Sequence, residues 1–94
     1  METFSPQSKS NMLWEYRLAD RALKNLKRFP FHDQKKIFLA LLQMQTNPFL
    51  GDVKSMQGEE NLYRRRVGNY RIYFRPQLDT HVLDIPEILR KQSH

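Results

Sequence analysis

The chain has 94 residues, enough for one domain with a single core, and its 16 Lys and Arg against 10 Asp and Glu give a net charge of +6 at pH 7. It has no cysteine and three scattered histidines, which excludes disulfides and thiolate metal sites, so we expect no cofactor and no metal. No stretch has the apolar length of a membrane span and no signal-peptide core is present, so we expect a cytoplasmic protein whose partner is a nucleic acid or an acidic protein, not a membrane.

The N-terminal part predicts a lead-in followed by a strand. Residues 1–11 are rich in Ser, Pro and Gln, and we expect them to be flexible, whereas residues 12–94 are expected to form the single domain. From Met12 to Leu18 apolar and polar residues alternate, which is the period of a β-strand. The side of this strand that faces the core would carry Met12, Trp14, Tyr16 and Leu18.

Two amphipathic helices are predicted next. The first begins at Asp20 and ends at Pro30, and its apolar stripe lies opposite a basic stripe that we interpret mainly as a solvated surface. The basic stripe consists of Arg17, Arg21, Lys24 and Arg28. Asp33 is predicted to cap the second helix, which ends at Asn47-Pro48 because the residue before a proline is pushed out of the α region. Its broad apolar face would carry Ile37, Phe38, Leu41, Leu42 and Met44.

After a connecting loop over residues 49–61, with room for one short extended piece, the sequence predicts a β-hairpin. Two runs rich in aromatic and β-branched residues flank Gly68-Asn69, a pair able to supply the positive φ angles of a two-residue turn. This turn sets the register. It places Tyr63 opposite Phe74, Arg64 opposite Tyr73, Arg65 opposite Ile72, Arg66 opposite Arg71, and Val67 opposite Tyr70.

Alternation divides this hairpin into an apolar face and a basic face. The apolar face carries Tyr63, Val67, Tyr70, Ile72 and Phe74. The basic face carries Arg64, Arg66, Arg71, Tyr73 and Arg75. Like charges directly opposite each other destabilise a sheet, so folding alone would not select the pair of Arg66 and Arg71, whereas a polyanionic ligand would. Arg65 has the parity of the apolar face, and we expect it at a sheet edge or paired with a carboxylate.

The C-terminal part predicts one further strand over residues 80–85. It lies between Pro76, which is expected to end the hairpin, and Pro86, after which residues 87–91 are expected to begin a helical turn. The element order is therefore β-α-α-β-β-β. This order predicts an α+β fold in which two helices pack on one face of a small, twisted, mainly antiparallel sheet.

Four blocks of sequence stand in a fixed order along the chain. They are Arg21-Ala22-Leu23-Lys24-Asn25-Leu26, Asn47-Pro48, Asp52-Val53-Lys54 and the long run from Leu62 to Ile72. In this combination residues 12–85 resemble the RelE/ParE superfamily of toxins from type II toxin–antitoxin systems. The resemblance implies a RelE-like fold, a metal-independent mRNA endoribonuclease that inhibits translation by acting on ribosome-bound mRNA, and a cognate antitoxin protein that neutralises it.

By position, the resemblance implies catalytic roles for Arg64, Arg66 and Arg71. The residues expected to bind substrate are Lys54, Tyr73, Arg75, Arg90 and Lys91. Arginine cannot serve as a general base, because its guanidinium group stays protonated. The planar guanidinium group can, however, donate paired hydrogen bonds to the charged oxygens of a phosphorane. Tyr73 offers a platform on which a base can stack. The proton acceptor has to come from elsewhere, and His94, Tyr73 or a group of the ribosome are candidates.

Two other functions stay open on the sequence. ParE-like relatives share the fold and are thought to inhibit DNA gyrase without cleaving RNA, and this alternative is favoured by the lack of a terminal Tyr. Pro86-Glu87 also interrupts the usual family sequence in the stretch where a C-terminal acid or base would lie. A nucleic-acid-binding module without chemistry is the third interpretation. His32 and His81 are expected to make local hydrogen bonds only.

Overall fold

The computed structural model describes residues 13–91. The predicted lead-in over residues 1–11, the predicted strand start at Met12 and the candidate base His94 lie outside this range. The elements are β1 (Glu15–Leu18), α1 (Asp20–Arg28), α2 (Phe31–Thr46), β2 (Val53–Ser55), β3 (Tyr63–Val67), β4 (Tyr70–Gln77) and β5 (Val82–Arg90). Neither helix in the described range is long and apolar enough to cross a membrane.

The five strands form one mixed sheet in the order β1-β5-β4-β3-β2. β1 pairs with β5 in parallel, and the other three pairings are antiparallel. Both helices pack on one face of this sheet, as predicted, and β2 is the short extended piece expected in the loop. The shared core is built from Trp14, Ala22, Leu26, Ile37, Ala40, Leu41, Met44, Tyr70, Ile72, Phe74, Leu83, Ile85 and Ile88.

The hairpin of β3 and β4 has the predicted register at all five residue pairs. In β4 the burial alternates strictly, with the even-numbered residues buried toward the helices and the odd-numbered ones partly exposed on the other face. Of the two turn residues only Gly68 has a positive φ, at 57°. A positive φ at the first turn residue alone is the pattern of a type II′ turn, which follows the twist of the flanking strands.

The two helices follow the predicted order, with two corrections in α2. The helix begins at Phe31, directly after Pro30, so Asp33 lies in its first turn and is not the N-cap. Ile37, Leu41 and Met44 are buried as predicted, but Phe38 and Leu42 are 41% and 56% exposed. The buried side of α2 is a narrow stripe of Ile37, Ala40, Leu41 and Met44, and Phe38 and Leu42 lie outside it.

The two proline stops predicted for strands are wrong, because β4 runs through Pro76 and β5 runs through Pro86. Pro76 is opposite Leu83 of β5, but on its other side it lies beyond the point where β3 begins, so β4 has no β3 partner there that would need the missing N–H. Pro86 lies in a β-bulge, because Ile85 and Pro86 together face the single residue Phe74. The expected helical turn over residues 87–91 is therefore the second half of β5.

Candidate active site

The face of the sheet opposite the helices carries the predicted basic cluster. Arg64 and Arg66 of β3 lie directly beside Tyr73 and Arg71 of β4, and Arg75 follows on the same side. We call the surface formed by Arg64, Arg66, Arg71, Tyr73 and Arg75 the arginine face. The structure thus brings together the three residues assigned to catalysis and two of those assigned to substrate binding.

Two rows of side chains cross the arginine face from strand to strand. The first row consists of Lys54, Arg64, Tyr73 and Glu87, contributed by β2, β3, β4 and β5 in turn. The second row consists of Arg66, Arg71 and Leu89. Directly opposed residues have Cβ atoms about 4.5–5.5 Å apart, so the members of each row are neighbours. Lys54 therefore lies beside the arginine face, at the margin formed by β2.

Asp52 lies at the edge of this cluster and contacts two of its arginines. Its Oδ1 is 3.8 Å from Nη2 of Arg64, and its Oδ2 is 3.8 Å from Nη1 of Arg66. The backbone N–H of Arg66 also donates to the Asp52 carbonyl oxygen over 2.9 Å. Asp52 thereby offsets the repulsion between the two guanidinium groups. The sequence placed Asp52 in a motif but gave no sign that it would reach this face.

Two of the three central arginines, which are Arg64, Arg66 and Arg71, have buried hydrogen-bond donors that no group of residues 13–91 accepts. These donors are the Nε atoms of Arg64 and Arg71, which are buried and have no hydrogen-bond partner in the described part of the chain, and the whole side chain of Arg64 is only 14% exposed. Within residues 13–91, no carboxylate lies within ion-pair distance of Arg71. Buried polar groups in proteins are nearly always hydrogen-bonded, and a phosphate oxygen would supply the acceptor these donors lack.

Arg75 differs from the central arginines because it is bound by the loop that precedes β3. Its Nη2 is 3.4 Å from Oε1 of Glu59, and its Nη1 donates to the backbone carbonyl oxygen of Glu60. Across the sheet it pairs with Asp84. Arg75 therefore lies on the arginine face but holds a loop in place with the same nitrogen atoms that would contact a substrate.

The two C-terminal basic residues are not both brought to this face. Arg90 pairs with Tyr70 on the helix side of the sheet, and its Cζ atom lies 6.0 Å from the centroid of the Tyr70 ring. Lys91 follows β5, and its backbone N–H donates to the carbonyl oxygen of Asn69 over 2.5 Å, so it lies next to the hairpin turn. Arg90 is thus separated from the arginine face by the sheet itself.

Arg65 lies on the helix side, where alternation placed it, but its partner was predicted wrongly. Its Nη2 donates to Oε1 of Gln43 over 2.9 Å, an amide oxygen and not a carboxylate. β3 is also an inner strand, not an edge strand. Burial lowers the pKa of the guanidinium, which Asp52 partly counteracts. The group packs over Gly51, where an added Cβ would lie 3.1 Å from the Arg65 Cζ atom.

A second polar cluster, on the helix side, joins the hairpin to the first turn of α2. The Tyr70 hydroxyl donates to Oδ2 of Asp33 over 2.6 Å. This hydrogen bond lowers the pKa of Asp33, while burial and the same bond raise the pKa of Tyr70. His32 lies 3.3 Å from the other carboxylate oxygen, through its Nε2. The contact agrees with the local role predicted for His32.

Glu87 is the residue on the arginine face that sequence reasoning missed. It lies directly opposite Tyr73, its side chain is 32% exposed, and its Oε2 is 3.7 Å from Nη1 of Arg21. In the same way Arg17 pairs with Asp84 at 3.5 Å, so two members of the predicted basic stripe contact carboxylates of β5. The sequence predicted a helical turn at Glu87 and therefore gave no sign of this position. The side of the sheet on which Glu87 lies is set by the bulge at Pro86.

Comparison with known proteins agrees with the resemblance seen in the sequence. The family model described as the ParE toxin of the type II toxin–antitoxin system parDE matches residues 16–93. The chain is also 40% identical over 62 residues to toxin RelE3 of Methanocaldococcus jannaschii, a match that covers 62% of this chain and 70% of that protein.

Solved structures with the same fold include two toxin–antitoxin complexes. The archaeal RelE-RelB complex from Pyrococcus horikoshii OT3 matches with a TM-score of 0.77 and 19% identity over 88% of this chain and 100% of the other, which shows the fold alone. The RelB-RelE complex from Methanococcus jannaschii matches with a TM-score of 0.64 and 34% identity over 78% of this chain and 87% of the other. The chain is therefore a member of the RelE/ParE superfamily and a RelE-type toxin of a type II toxin–antitoxin system.

Proposed function

We propose that this toxin is an endoribonuclease that cleaves ribosome-bound mRNA in the cytoplasm and thereby inhibits translation. The observation that carries the proposal is the cluster of Arg64, Arg66 and Arg71, with buried Nε donors on Arg64 and Arg71 that have no acceptor among residues 13–91. A cluster of this kind suits a phosphate group and would be unfavourable without an anion.

The chemistry needs no metal if the RNA supplies its own nucleophile. The 2′-hydroxyl attacks the adjacent phosphorus, and the negative charge that develops on the phosphorane is stabilised by Arg64, Arg66 and Arg71. Donors aimed at such a charge usually supply the largest catalytic term, and the loss of one typically costs about 2.7–4 kcal/mol, or roughly 10²- to 10³-fold in rate. The arginines thus perform charge stabilisation but cannot remove the proton of the nucleophile.

The neighbours of the central arginines suit the rest of the substrate. Tyr73 lies beside Arg64 in the first row, so a splayed base can stack on its ring while the adjacent phosphate contacts the guanidinium. Lys54 lies on the other side of Arg64 and extends the positive surface along the backbone of the RNA. In this proposal Arg75 and Lys91 contribute at the margin of the face.

We also propose that a cognate antitoxin neutralises the toxin. The two complexes above show that relatives assemble with RelB, and this chain exposes an apolar stripe on the outer side of α2 that suits such a partner. The stripe consists of Phe31, Phe38, Leu39 and Leu42, with exposures of 71%, 41%, 60% and 56%. An amphipathic segment with acidic flanks would cover these side chains and complement the net charge of +6.

Primer extension on mRNA from a translating extract tests the nuclease proposal. Addition of the toxin is expected to create new 5′ ends, and these ends are expected to disappear with Arg71→Ala or Arg66→Ala. Arg28→Ala, an exposed change of the same charge in α1, is the matched control and should leave the new ends in place.

Gyrase inhibition is the second candidate, because the matching family model is described as a ParE toxin. The two functions give opposite results in one pair of assays. Intact mRNA together with trapped gyrase–DNA breaks would favour the second candidate and contradict the first.

A further inference from the structure

We infer that Glu87 is the general base of the proposed cleavage, the group that takes the proton from the attacking 2′-hydroxyl. This inference rests on the proposed nuclease function. It supplies the proton acceptor that the arginines cannot provide, and it assigns that role to a residue of β5 for which the sequence predicted a helical turn.

The position of Glu87 follows from the bulge in β5. Ile85 and Ile88 are both buried in the core, at 1% and 0% exposure, although their spacing of three would put them on opposite faces of a regular strand. The extra residue at Pro86 restores the alternation, so Glu87 faces away from the core. A one-residue slip here would move its carboxylate to the helix side.

On the arginine face, three neighbouring strands place a guanidinium, a phenol and the Glu87 carboxylate side by side. Arg64, Tyr73 and Glu87 are successive neighbours on β3, β4 and β5. Strands two apart are separated by about 10 Å, so the side chains of Arg64 and Glu87 approach one another from opposite sides of Tyr73. A phosphate and its ribose held over Tyr73 would contact the guanidinium through the phosphate and the carboxylate through the 2′-hydroxyl.

The other carboxylates near this face are already committed to its arginines or to the margin. Asp52 contacts both Arg64 and Arg66, and Glu59 contacts Arg75. Asp84 lies on the N-terminal side of the bulge, where it forms an ion pair with Arg17 and accepts a hydrogen bond from Gln77.

Among residues 13–91 the only ion-pair partner of Glu87 is Arg21, at 3.7 Å, and the Arg21 side chain is itself 73% exposed. An exposed ion pair of this kind is weak, so it orients the carboxylate without preventing it from accepting a proton. Carboxylates are among the side chains that act as general bases when they reach the hydroxyl of the substrate.

The step balances with the groups named. The Glu87 carboxylate takes the proton of the 2′-hydroxyl, the 2′-oxygen forms a bond to phosphorus, and the bond from phosphorus to the 5′-oxygen breaks. The 5′-oxygen takes a proton from water, and Glu87 returns its own proton to the hydroxide that remains. The products are a 2′,3′-cyclic phosphate and a 5′-hydroxyl, with no oxidation or reduction.

The test measures single-turnover cleavage of ribosome-bound mRNA by the full chain across a range of pH. Glu87→Gln is expected to lower the rate by about 10²- to 10⁴-fold and to remove the fall in rate on the acid side of the profile, because the group that must be ionised is gone. Glu87→Asp should keep that acid-side fall at a reduced rate. Glu15→Gln, an exposed change of the same charge in β1, is the control.

Binding of an mRNA that carries a 2′-O-methyl group at the cleavage site distinguishes a general base from a structural role for Glu87. Glu87→Gln should bind this uncleavable RNA at least as well as the wild type does. Wild-type rates and an unchanged acid side in Glu87→Gln would overturn the assignment, and so would a loss of binding equal to the loss of cleavage. Absence of cleavage by the wild type would instead contradict the proposed nuclease function.

Discussion

Two groups of arginines lie on or beside the open face of the sheet, and they differ in their partners. The peripheral arginines each contact a carboxylate of the described chain: Arg17 with Asp84, Arg21 with Glu87, and Arg75 with Glu59. The central arginines share one carboxylate, Asp52, between Arg64 and Arg66, and Arg71 contacts no carboxylate of residues 13–91. We therefore interpret the peripheral group as structural, and we propose that the central group, Arg64, Arg66 and Arg71, binds an external anion.

Arg71→Ala should have the largest effect on function. We expect it to lower the rate of cleavage by about 10²- to 10³-fold, because it removes a donor aimed at the developing phosphorane charge. The midpoint of thermal unfolding should stay the same or rise, since the substitution removes the like charge opposite Arg66. Single-turnover kinetics and thermal denaturation of the same preparation check both parts. A large loss of stability would instead show that Arg71 has a structural role, like the peripheral arginines.

Tyr70→Phe should change stability and spare the arginine face. The Tyr70 hydrogen bond lowers the pKa of Asp33 in the folded chain, so Asp33 adds stability above its unfolded value of 3.8 and loses it as the pH falls toward the folded value. The variant should therefore unfold at a lower temperature near neutral pH, and its difference from the wild type should shrink below pH 3.8.

Thermal unfolding of Tyr70→Phe at several pH values checks this prediction. Tyr63→Phe is the matched control, because Tyr63 packs its ring against Phe74 and its hydroxyl has no hydrogen-bond partner within the described range. A difference that stays constant with pH would show that Asp33 does not contribute in this way.

Asp52→Asn should increase the affinity of the central arginines for an anion. Removing the carboxylate frees two guanidinium groups, so we expect tighter binding of an uncleavable RNA and a steeper fall in affinity with salt. Binding titrations over a range of ionic strength measure both quantities, with Glu15→Gln as the control for net charge. Equal affinities in Asp52→Asn and the control would mean that Asp52 does not compete with the substrate.

Arg75→Gln should have the smallest effect. Its contact with Glu59 is partly exposed, and such ion pairs contribute about 0.2–1 kcal/mol to the free energy of unfolding. We expect a loss of stability in this range and a change in cleavage rate far below that of Arg71→Ala. A loss of cleavage as large as that of Arg71→Ala would remove the distinction between peripheral and central arginines.

The sequence predicted the hairpin well because its two determinants are local. Gly68 permits a tight turn, and strict alternation on both sides then fixes which residues face each other and which side they occupy. The placement of Arg64, Arg66 and Arg71 on one surface followed from the same two facts. Arg65 also followed the alternation. Its partner Gln43 could not be predicted, because it lies 22 residues away on α2 and no local sequence pattern connects the two residues.

The C-terminal strand could not be read in the same way, because its geometry depends on a neighbouring strand. Pro86 looks like a stop in sequence, yet the bulge opposite Phe74 accommodates it and resets the alternation. That reset decides that Glu87 joins the arginine face. Likewise, the pattern of α2 showed a broad apolar face, but how much of it the sheet would cover was decided by tertiary packing, and Phe38 stayed exposed.

The chemical identity of the ends made on ribosome-bound mRNA tests the central claim most directly. If the central arginines stabilise a phosphorane formed by the 2′-hydroxyl, the wild type should leave 5′-hydroxyl and 2′,3′-cyclic phosphate ends, and Arg71→Ala should leave almost none. Intact mRNA after incubation with the wild type, or cleavage that leaves 5′-phosphate ends, would contradict the account.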